Sequence, residues 1–177
     1  MLRRFQMPKE RLGSDMWGHW ERPLFRPDGW PQVPTDPRLL ALYCYWGDAA
    51  GPGELQQRTD VFPVRLTSVL PHVYVLDVVG ATFRFRLRGS EIDRRLGHHR
   101  TGLTFEECGY GDSLDKVKRE YANVVRQRRP VTTAGMVYWG SEFNALRYEN
   151  IRLPVFDAAG AVVHLLCAMV FHEEPST

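Results

Sequence analysis

Cysteine is scarce in this sequence, and the few cysteines present have no functional spacing. The 177 residues include three, Cys44, Cys108 and Cys167, an odd number with no two close together. A disulfide scaffold and a CxxC metal or redox site are therefore excluded. Cysteine use of this kind is typical of a reducing compartment, so we expect a cytoplasmic protein.

Long hydrophobic runs are also missing. No apolar stretch approaches the roughly 20 residues that a membrane-spanning helix requires. The N-terminal segment has charged residues but lacks the apolar core of a secretory signal. We therefore expect no membrane partner.

An excess of charge of one sign is absent from most of the chain. The net charge is +2, and residues 1–35 account for it with six Lys/Arg and four Asp/Glu. The remaining residues carry 17 charges of each sign. Because phosphate binding needs a concentrated basic face, the sequence argues against a nucleic-acid partner.

The stretch from Phe83 to Glu107 is the most informative part of the chain. It opens with strict alternation, which predicts a half-buried strand. On that strand the apolar side is Phe83, Phe85 and Leu87, and the opposite side is Arg84, Arg86 and Arg88. Gly89 ends the strand, a short helix is predicted over residues 91–96, and Gly97 ends that helix.

Residues 1–35 form an arm rich in proline, tryptophan and arginine. Proline at this density prevents a helix and disfavours a central strand. Two interpretations stay open: an extended arm that packs its aromatic side chains on the domain or a partner, or a partly disordered segment.

Residues 36–72 are predicted to be a helical flank. Asp36 and Pro37 begin a helix with an apolar stripe of Leu39, Leu42, Tyr43 and Trp46. The stripe fits packing on the chain's own core or on a second copy. A second short helix is predicted over residues 62–70.

Residues 73–177 are predicted to be the core domain. A β-branched run over 73–79 predicts a buried strand that forms a hairpin with the Phe83 strand. A long helix is predicted over 113–129. Strands over 131–139, 146–155 and 162–172 complete an antiparallel meander.

This order of elements, with its motifs, resembles the bacterial PAS family labelled PAS_5. The resembling residues are Tyr45-Trp46, Arg58, Asp60, Pro63, Leu70-Pro71, Leu76-Asp77, Phe83 to Leu87, Gly89-Ser90, Leu96-Gly97, Thr101-Gly102, Tyr121, Arg129-Pro130-Val131 and Leu153-Pro154-Val155. The resemblance covers about residues 38–173 and departs from the family pattern at Leu55-Gln56-Gln57. It implies an α+β PAS fold, a five-stranded antiparallel sheet with helices over one face, preceded by N-terminal helices.

The resemblance also implies a ligand pocket between sheet and helices and a signalling surface on the other face. The candidate pocket residues are Phe85, Leu87, Leu103, Phe105, Tyr121, Val125, Met136, Tyr138, Tyr148 and Met169. A plain packed core is the alternative for these residues. The candidate dimer or signalling residues are Leu39, Tyr43, Trp46, Arg84, Arg86 and Arg88.

The sequence predicts no metal and leaves the cofactor unknown. His164 and His172 share a predicted strand but lie about 26 Å apart, too far to bind one metal. Haem is disfavoured because the helix over 113–129 lacks histidine, and His98-His99 is expected to be a solvated pair. Flavin is disfavoured because Cys108 lacks the N-C-R-F-L-Q context of flavin-reactive PAS domains.

Asp77 is the one carboxylate within an apolar strand. A buried carboxylate must be hydrogen-bonded or paired, so we expect a bond to a backbone amide or to Arg86 or Arg88. A signal-coupling role is the alternative.

Taken with the resemblance, the sequence predicts a sensory or regulatory protein without enzymatic activity. It would bind a small ligand or a partner and signal through contact with a separate effector protein, as a homodimer. A ligand-free structural adaptor is the first alternative. An isomerase-like enzyme with a cone-shaped cavity is the second, and it would need a His/Asp dyad facing the cavity.

Overall fold

A computed structural model describes residues 17–24, 32–48, 66–97, 99–139 and 144–172. Most of these residues belong to six β-strands. The strands are β1 Trp17–Pro23, β2 Val73–Val79, β3 Thr82–Arg88, β4 Val131–Trp139, β5 Asn144–Phe156 and β6 Val162–His172. The predicted bounds of β2, β4 and β6 match the observed bounds, and those of β3 and β5 differ by one or two residues at an end.

All the strands join one antiparallel sheet in the order β1-β4-β5-β6-β2-β3. The predicted five-stranded sheet is confirmed as β2 to β6. Strand β1 from the N-terminal arm adds a sixth strand at the edge beside β4, with Pro23 opposite Thr133. Proline is tolerated there because an edge strand has one side that needs no ladder hydrogen bonds.

Three α-helices are described. They are α1 Pro37–Asp48, α2 Ser90–Leu96 and α3 Leu114–Gln127. Short 3-10 turns occur at Leu70–His72, Glu106–Cys108 and Gly111–Ser113. The predicted second N-terminal helix lies outside the described residues over 62–65, and residues 66–72 form turns that end in 3-10 geometry.

Helix α1 begins as its sequence predicts. The backbone N–H of Arg38 donates to Asp36 Oδ1 at 2.9 Å, so Asp36 caps the helix. The guanidinium of Arg38 also binds the Asp36 carboxylate, and these hydrogen bonds lower the pKa of Asp36. At the other end Trp46 Nε1 donates to the carbonyl of Pro154 at 2.7 Å, which fixes the helix on β5.

The sheet has one side covered by α1, here called the α1 face. Its core is aliphatic and almost entirely excluded from solvent. The buried members are Leu39, Leu42, Tyr45, Leu66, Val69, Val73, Val75, Ile151, Leu153, Val155, Leu166, Ala168 and Val170.

The other side of the sheet, here called the cavity face, is covered by α2, α3 and the turns between them. Its core is rich in aromatic residues. Examples are Tyr74, Phe83, Phe85, Phe105, Tyr121 and Tyr148. The prediction of helices over one face is confirmed by α2 and α3, and α1, which precedes the five-stranded sheet, covers the second face.

Gly89 directly follows β3 and packs against the turn that precedes β2. Its N–H donates to Val73 O at 2.7 Å, and its Cα lies against the backbone of Leu70 and Pro71. A Cβ at this position would lie 2.8 Å from Leu70 O and would overlap the Pro71 carbonyl. This approach requires glycine because the atoms that would have to move belong to the backbone.

Candidate functional site

A cavity of about 100 Å³ lies between the cavity face of the sheet and helices α2 and α3. Strands β2, β3 and β5 supply aromatic side chains to it, and so do α3 and the turn before α3. These aromatic residues are Tyr74, Phe85, Tyr110, Tyr121 and Tyr148. The cavity is therefore the internal space that the family resemblance implies.

Three arginines reach the same cavity: Arg88, Arg100 and Arg152. All three are buried, and the side chains of Arg88 and Arg152 are each 2% exposed. Each guanidinium lies over an aromatic ring. The distance from Cζ to the ring centroid is 5.3 Å for Arg88 over Phe85 and 5.0 Å for Arg100 over Tyr110. It is 4.2 Å for Arg152 over Tyr121. Stacking of this kind supports a buried cation whose charge has left water.

A hydrogen-bond network connects the strands to α3 beside Arg152. The hydroxyls of Tyr74 and Tyr121 are 2.8 Å apart, and Asn150 Nδ2 donates to Tyr74 Oη at 2.8 Å. Burial raises the pKa of Tyr74 well above its ordinary value, so its hydroxyl stays protonated at neutral pH. The network fixes the position of polar atoms at one end of the cavity.

The structure brings four of the ten predicted pocket residues into the cavity wall. They are Phe85, Tyr121, Tyr148 and Met169. Three more, Leu103, Phe105 and Val125, belong to the surrounding core of the cavity face. Whether any of them binds a ligand stays a prediction.

The predicted positions of Leu87 and Arg88 are wrong. A β-bulge interrupts the pairing of β2 with β3: Leu76 lies opposite Phe85, whereas Val75 lies opposite Leu87. Arg86 is the extra residue, and it shifts the alternation by one. Leu87 is consequently 44% exposed, and Arg88 points into the cavity.

The predicted side for Met136 on β4 is also wrong. Val137 lines the cavity, and successive side chains of a strand point to opposite faces, so Met136 faces away from it. The β4 run contains Thr132, Thr133 and Gly135, which give the alternation too little apolar contrast to fix its phase. The side chain of Tyr138 lies outside the described residues.

The predicted dimer residues on α1 split into two groups. Leu39 has no exposed surface and packs within the chain's own core, which corrects its assignment to a dimer surface. Tyr43 and Trp46 pack partly against that core and keep some exposure. Arg84 and Arg86 are exposed on β3. The homodimer itself stays a prediction.

Asp77 has a partner that the sequence did not indicate. Its Oδ1 lies 2.9 Å from His164 Nδ1 on β6, and 3.7 Å from Arg86 Nε. The arginine contact was expected and the histidine was not. Asp77 and His164 lie directly opposite each other across the β2–β6 pairing, on the α1 face. The one His/Asp pair on adjacent strands in the described residues therefore faces away from the cavity.

The other histidine, cysteine and acidic side chains that the structure describes form no candidate metal site. Within the described ranges, no group of three or more His, Cys, Asp or Glu side chains comes together. Cys44 is exposed, and Cys108 and Cys167 are buried thiols. Burial raises the pKa of the Cys108 thiol. His99 is 75% exposed, with Nδ1 2.8 Å from Asp93 Oδ2, and His98 lies outside the described residues.

The family profile of a PAS domain, PAS_5, matches residues 35–170. This chain belongs to the PAS_5 family of PAS domains. The match begins just before α1 and ends within β6, so α1 is part of what the family shares. PAS_5 membership establishes the fold and the general class of sensory domain.

A similar solved structure is that of an RNA-binding Light-Oxygen-Voltage receptor. It is 17% identical with a TM-score of 0.46, over 90% of this chain and 40% of that chain. This PAS_5 chain thus spans less than half of the length of that protein. No curated protein matches the sequence. In the described residues, no helix has the length and apolar character needed to cross a membrane.

The sequence did not predict the polar residues in and beside the cavity wall. Tyr74, Asn150, Arg100 and Arg152 were not predicted as site residues. A signal existed for two of them: with Tyr148 pointing inward, period-two alternation also points Asn150 and Arg152 inward. Polar residues at those inward positions conflict with an apolar core and mark a site. Arg100 lies in a turn, where no periodicity reports its direction.

Proposed function

We propose that this PAS domain is a sensory or regulatory protein that binds a small ligand in its cavity and passes the signal on by protein contact. The supporting observation is the composition of the cavity wall. Tyrosines and arginines line it together with apolar side chains. A concave wall that combines a few convergent polar groups with apolar and aromatic side chains is typical of a ligand site.

Strand β3 offers a short route from the cavity to the surface. Phe85 and Arg88 line the cavity, and Arg84 and Arg86 on the same strand are exposed. A ligand that shifts Arg88 would also shift the bulge at Arg86. We propose that this outer surface contacts a separate effector protein or a second copy of the chain, in the cytoplasm.

Protein contact is favoured over nucleic-acid contact for this surface. The three predicted outward arginines reduce to two, because Arg88 points inward. Arg86 NH1 lies 3.3 Å from His164 Nε2, and its Nε lies 3.7 Å from Asp77. A duplex or single strand that bound with a steep salt dependence would contradict this part of the proposal.

Native mass spectrometry of the protein as purified, followed by thermal shifts with a metabolite library, tests ligand binding. We expect a bound small molecule or a raised melting temperature with at least one compound. Val117→Phe should fill the cavity and abolish that shift, since Val117 lines the wall. Leu40→Phe is the matched control, because Leu40 is exposed on α1. Absence of any ligand, or an equal effect of both variants, would overturn the cavity assignment.

A ligand-free structural adaptor is the second candidate. The exposed apolar residues Val79 and Leu87 on the β2–β3 hairpin favour it, because they lie beside the exposed Arg84 and Arg86. An adaptor would bind its partner equally well with the cavity filled. Partner affinity that is unchanged by Val117→Phe but lost in Leu87→Glu would favour the adaptor.

The enzyme alternative has less support. An isomerase-like mechanism needs a His/Asp dyad that faces the cavity. The Asp77–His164 pair lies on the opposite face of the sheet. We therefore propose a non-enzymatic domain.

A further inference from the structure

The charge of the cavity wall indicates what kind of ligand it would bind. Arg88, Arg100 and Arg152 all line the cavity. Among the described residues that line it, none is an aspartate or a glutamate. The wall itself therefore places three positive charges beside the cavity, and positive charges that are removed from water favour an anion.

Arg88 and Arg100 lie close enough in the cavity wall for their charges to interact. Burial lowers the pKa of Arg88, and the charge of Arg100 acts in the same direction. Asp93 Oδ1 lies 3.1 Å from Arg88 Nε and offsets part of this cost. Like charges held together in a buried site are destabilising, and an anion between them relieves the repulsion.

Arg152 enters the cavity from β5 on the sheet side. It lies over the Tyr121 ring, and Glu120 Oε2 is 4.0 Å away, the limit of an ion pair. The linked hydroxyls of Tyr74 and Tyr121 lie at this end of the cavity. Guanidinium groups and phenolic hydroxyls are hydrogen-bond donors, so this end suits oxygen acceptors.

The rest of the wall is apolar and the space is small. Phe85, Ile92, Val117, Val137 and Met169 line it. A cavity of about 100 Å³ is smaller than the engineered cavity of roughly 150 Å³ that holds benzene. A ligand that fits has few non-hydrogen atoms, one charged end and a short carbon chain.

We propose that the cavity binds a small aliphatic monocarboxylate, with its carboxylate at the arginines and its carbon chain against the apolar side chains. The proposal rests on the proposed function of the cavity as a ligand site. A carboxylate is favoured over inorganic phosphate because phosphate would leave the apolar part of the wall without a partner.

Isothermal titration of the full chain with sodium butyrate tests the assignment. Butyramide has nearly the same shape without the charge, and inorganic phosphate has the charge without the carbon chain. At constant ionic strength we expect binding of butyrate, at least tenfold weaker binding of butyramide, and no heat from phosphate. Equal affinity for butyrate and butyramide, or binding of phosphate alone, would overturn the assignment without any variant being made.

Arginine variants then locate the carboxylate. Arg88→Met and Arg152→Met should each weaken butyrate binding at least tenfold, because each removes a buried guanidinium from the wall. Arg84→Met is the matched control on the same strand as Arg88, since Arg84 is exposed and lies outside the bulge, and it should leave affinity within twofold. Circular dichroism confirms that each variant is folded. Wild-type affinity in both buried-arginine variants would contradict the proposal.

The outcomes also separate this inference from the proposed function. A neutral ligand that binds the wild type and is excluded by Val117→Phe would leave the sensory cavity standing and reject the monocarboxylate. Failure of every ligand class would reject both.

Discussion

The two faces of the central sheet are built from the same strands and have different characters. On β6, Leu166 and Ala168 pack under α1, whereas Leu165 and Cys167 pack on the cavity face. The α1 face is closed and aliphatic. The cavity face is aromatic, contains three buried arginines and encloses a cavity of about 100 Å³. One alternating sequence can thus give the two faces of a single layer different chemistry.

The largest expected effect compares identical truncations on the two faces. Ile151→Ala removes a fully buried side chain under α1 and should lower the unfolding free energy by about 3–5 kcal/mol. Ile92→Ala removes a side chain that borders the cavity and should cost about 2 kcal/mol, since atoms beside a void make fewer contacts. Alanine also favours helix α2 and disfavours strand β5, which widens the difference. Urea unfolding of both variants measures it, and equal costs would remove the distinction between the faces.

The next effect concerns the place where the two layers meet. Gly89→Ala should destabilise the protein by about 2–4 kcal/mol, because the new methyl would overlap the Pro71 carbonyl. Gly47→Ala is the matched control: nothing lies within 4 Å of its added Cβ, and alanine suits a helix better than glycine. Thermal unfolding should therefore show a lowered melting temperature for Gly89→Ala and an unchanged or raised one for Gly47→Ala. A neutral Gly89→Ala would mean that the 70–72 turn can move away.

A smaller effect concerns the pH dependence of stability that two histidines produce. Burial lowers the pKa of His72, and the nearby Arg38 acts in the same direction; its guanidinium is 3.1 Å from His72 Nε2. Burial also lowers the pKa of His164, against the opposing effect of Asp77. A lowered folded-state pKa means that the unfolded state binds the proton more readily. The stabilising contribution is therefore present above the unfolded value, about 6.5, and is lost as pH falls through it.

The double variant His72→Gln/His164→Gln tests this sign. Between pH 7.5 and 5 the wild type should lose more unfolding free energy than the variant does. Arg94 and Lys118 hold the folded-state pKa values of Glu91 and Glu106 at about 2, so the stability that these carboxylates contribute is lost mainly below about pH 5. Urea midpoints at the two pH values check it, and parallel losses in both proteins would assign the slope to other groups.

The smallest expected cost is that of truncating Leu87, which lies beside the bulge. Leu87→Ala should change the unfolding free energy by less than about 0.5 kcal/mol, because Leu87 is 44% exposed. Phe85→Ala, two residues earlier and buried in the cavity wall, should cost about 3–5 kcal/mol. Denaturant unfolding compares the two. A cost of about 2 kcal/mol or more for Leu87→Ala would place Leu87 in the core and remove the bulge.

The sequence predicted the elements well and the cavity wall in part, for physical reasons. Strands and helices follow from periodicity and from end signals such as Asp36 and Gly97, which act locally. Phe85 and Tyr148 followed from alternation, and both side chains line the cavity. Leu87 and Arg88 were misplaced because a bulge depends on how β3 pairs with β2, and the alternation within β3 does not show that pairing.

The covering of the α1 face was the second feature that the sequence left open. The stripe containing Leu39 fits a core or a dimer equally well, since both bury apolar surface. The outcome depends on Ile151, Leu153 and Leu166, which lie more than a hundred residues away along the chain. Arg100 was missed because turns have no period from which a side chain's direction can be inferred.

The bulge at Arg86 also affects how relatives of this chain should be compared. One inserted or deleted residue in β3 exchanges the roles of positions 87 and 88, because it reverses which of the two points inward. Two PAS_5 proteins can therefore have the same Leu-Arg pair in this strand and differ in which residue faces the cavity. With the bulge the arginine lies in the wall, and without it the leucine does. Identical residues at positions 87 and 88 in an alignment therefore do not establish that two such proteins bind the same ligand.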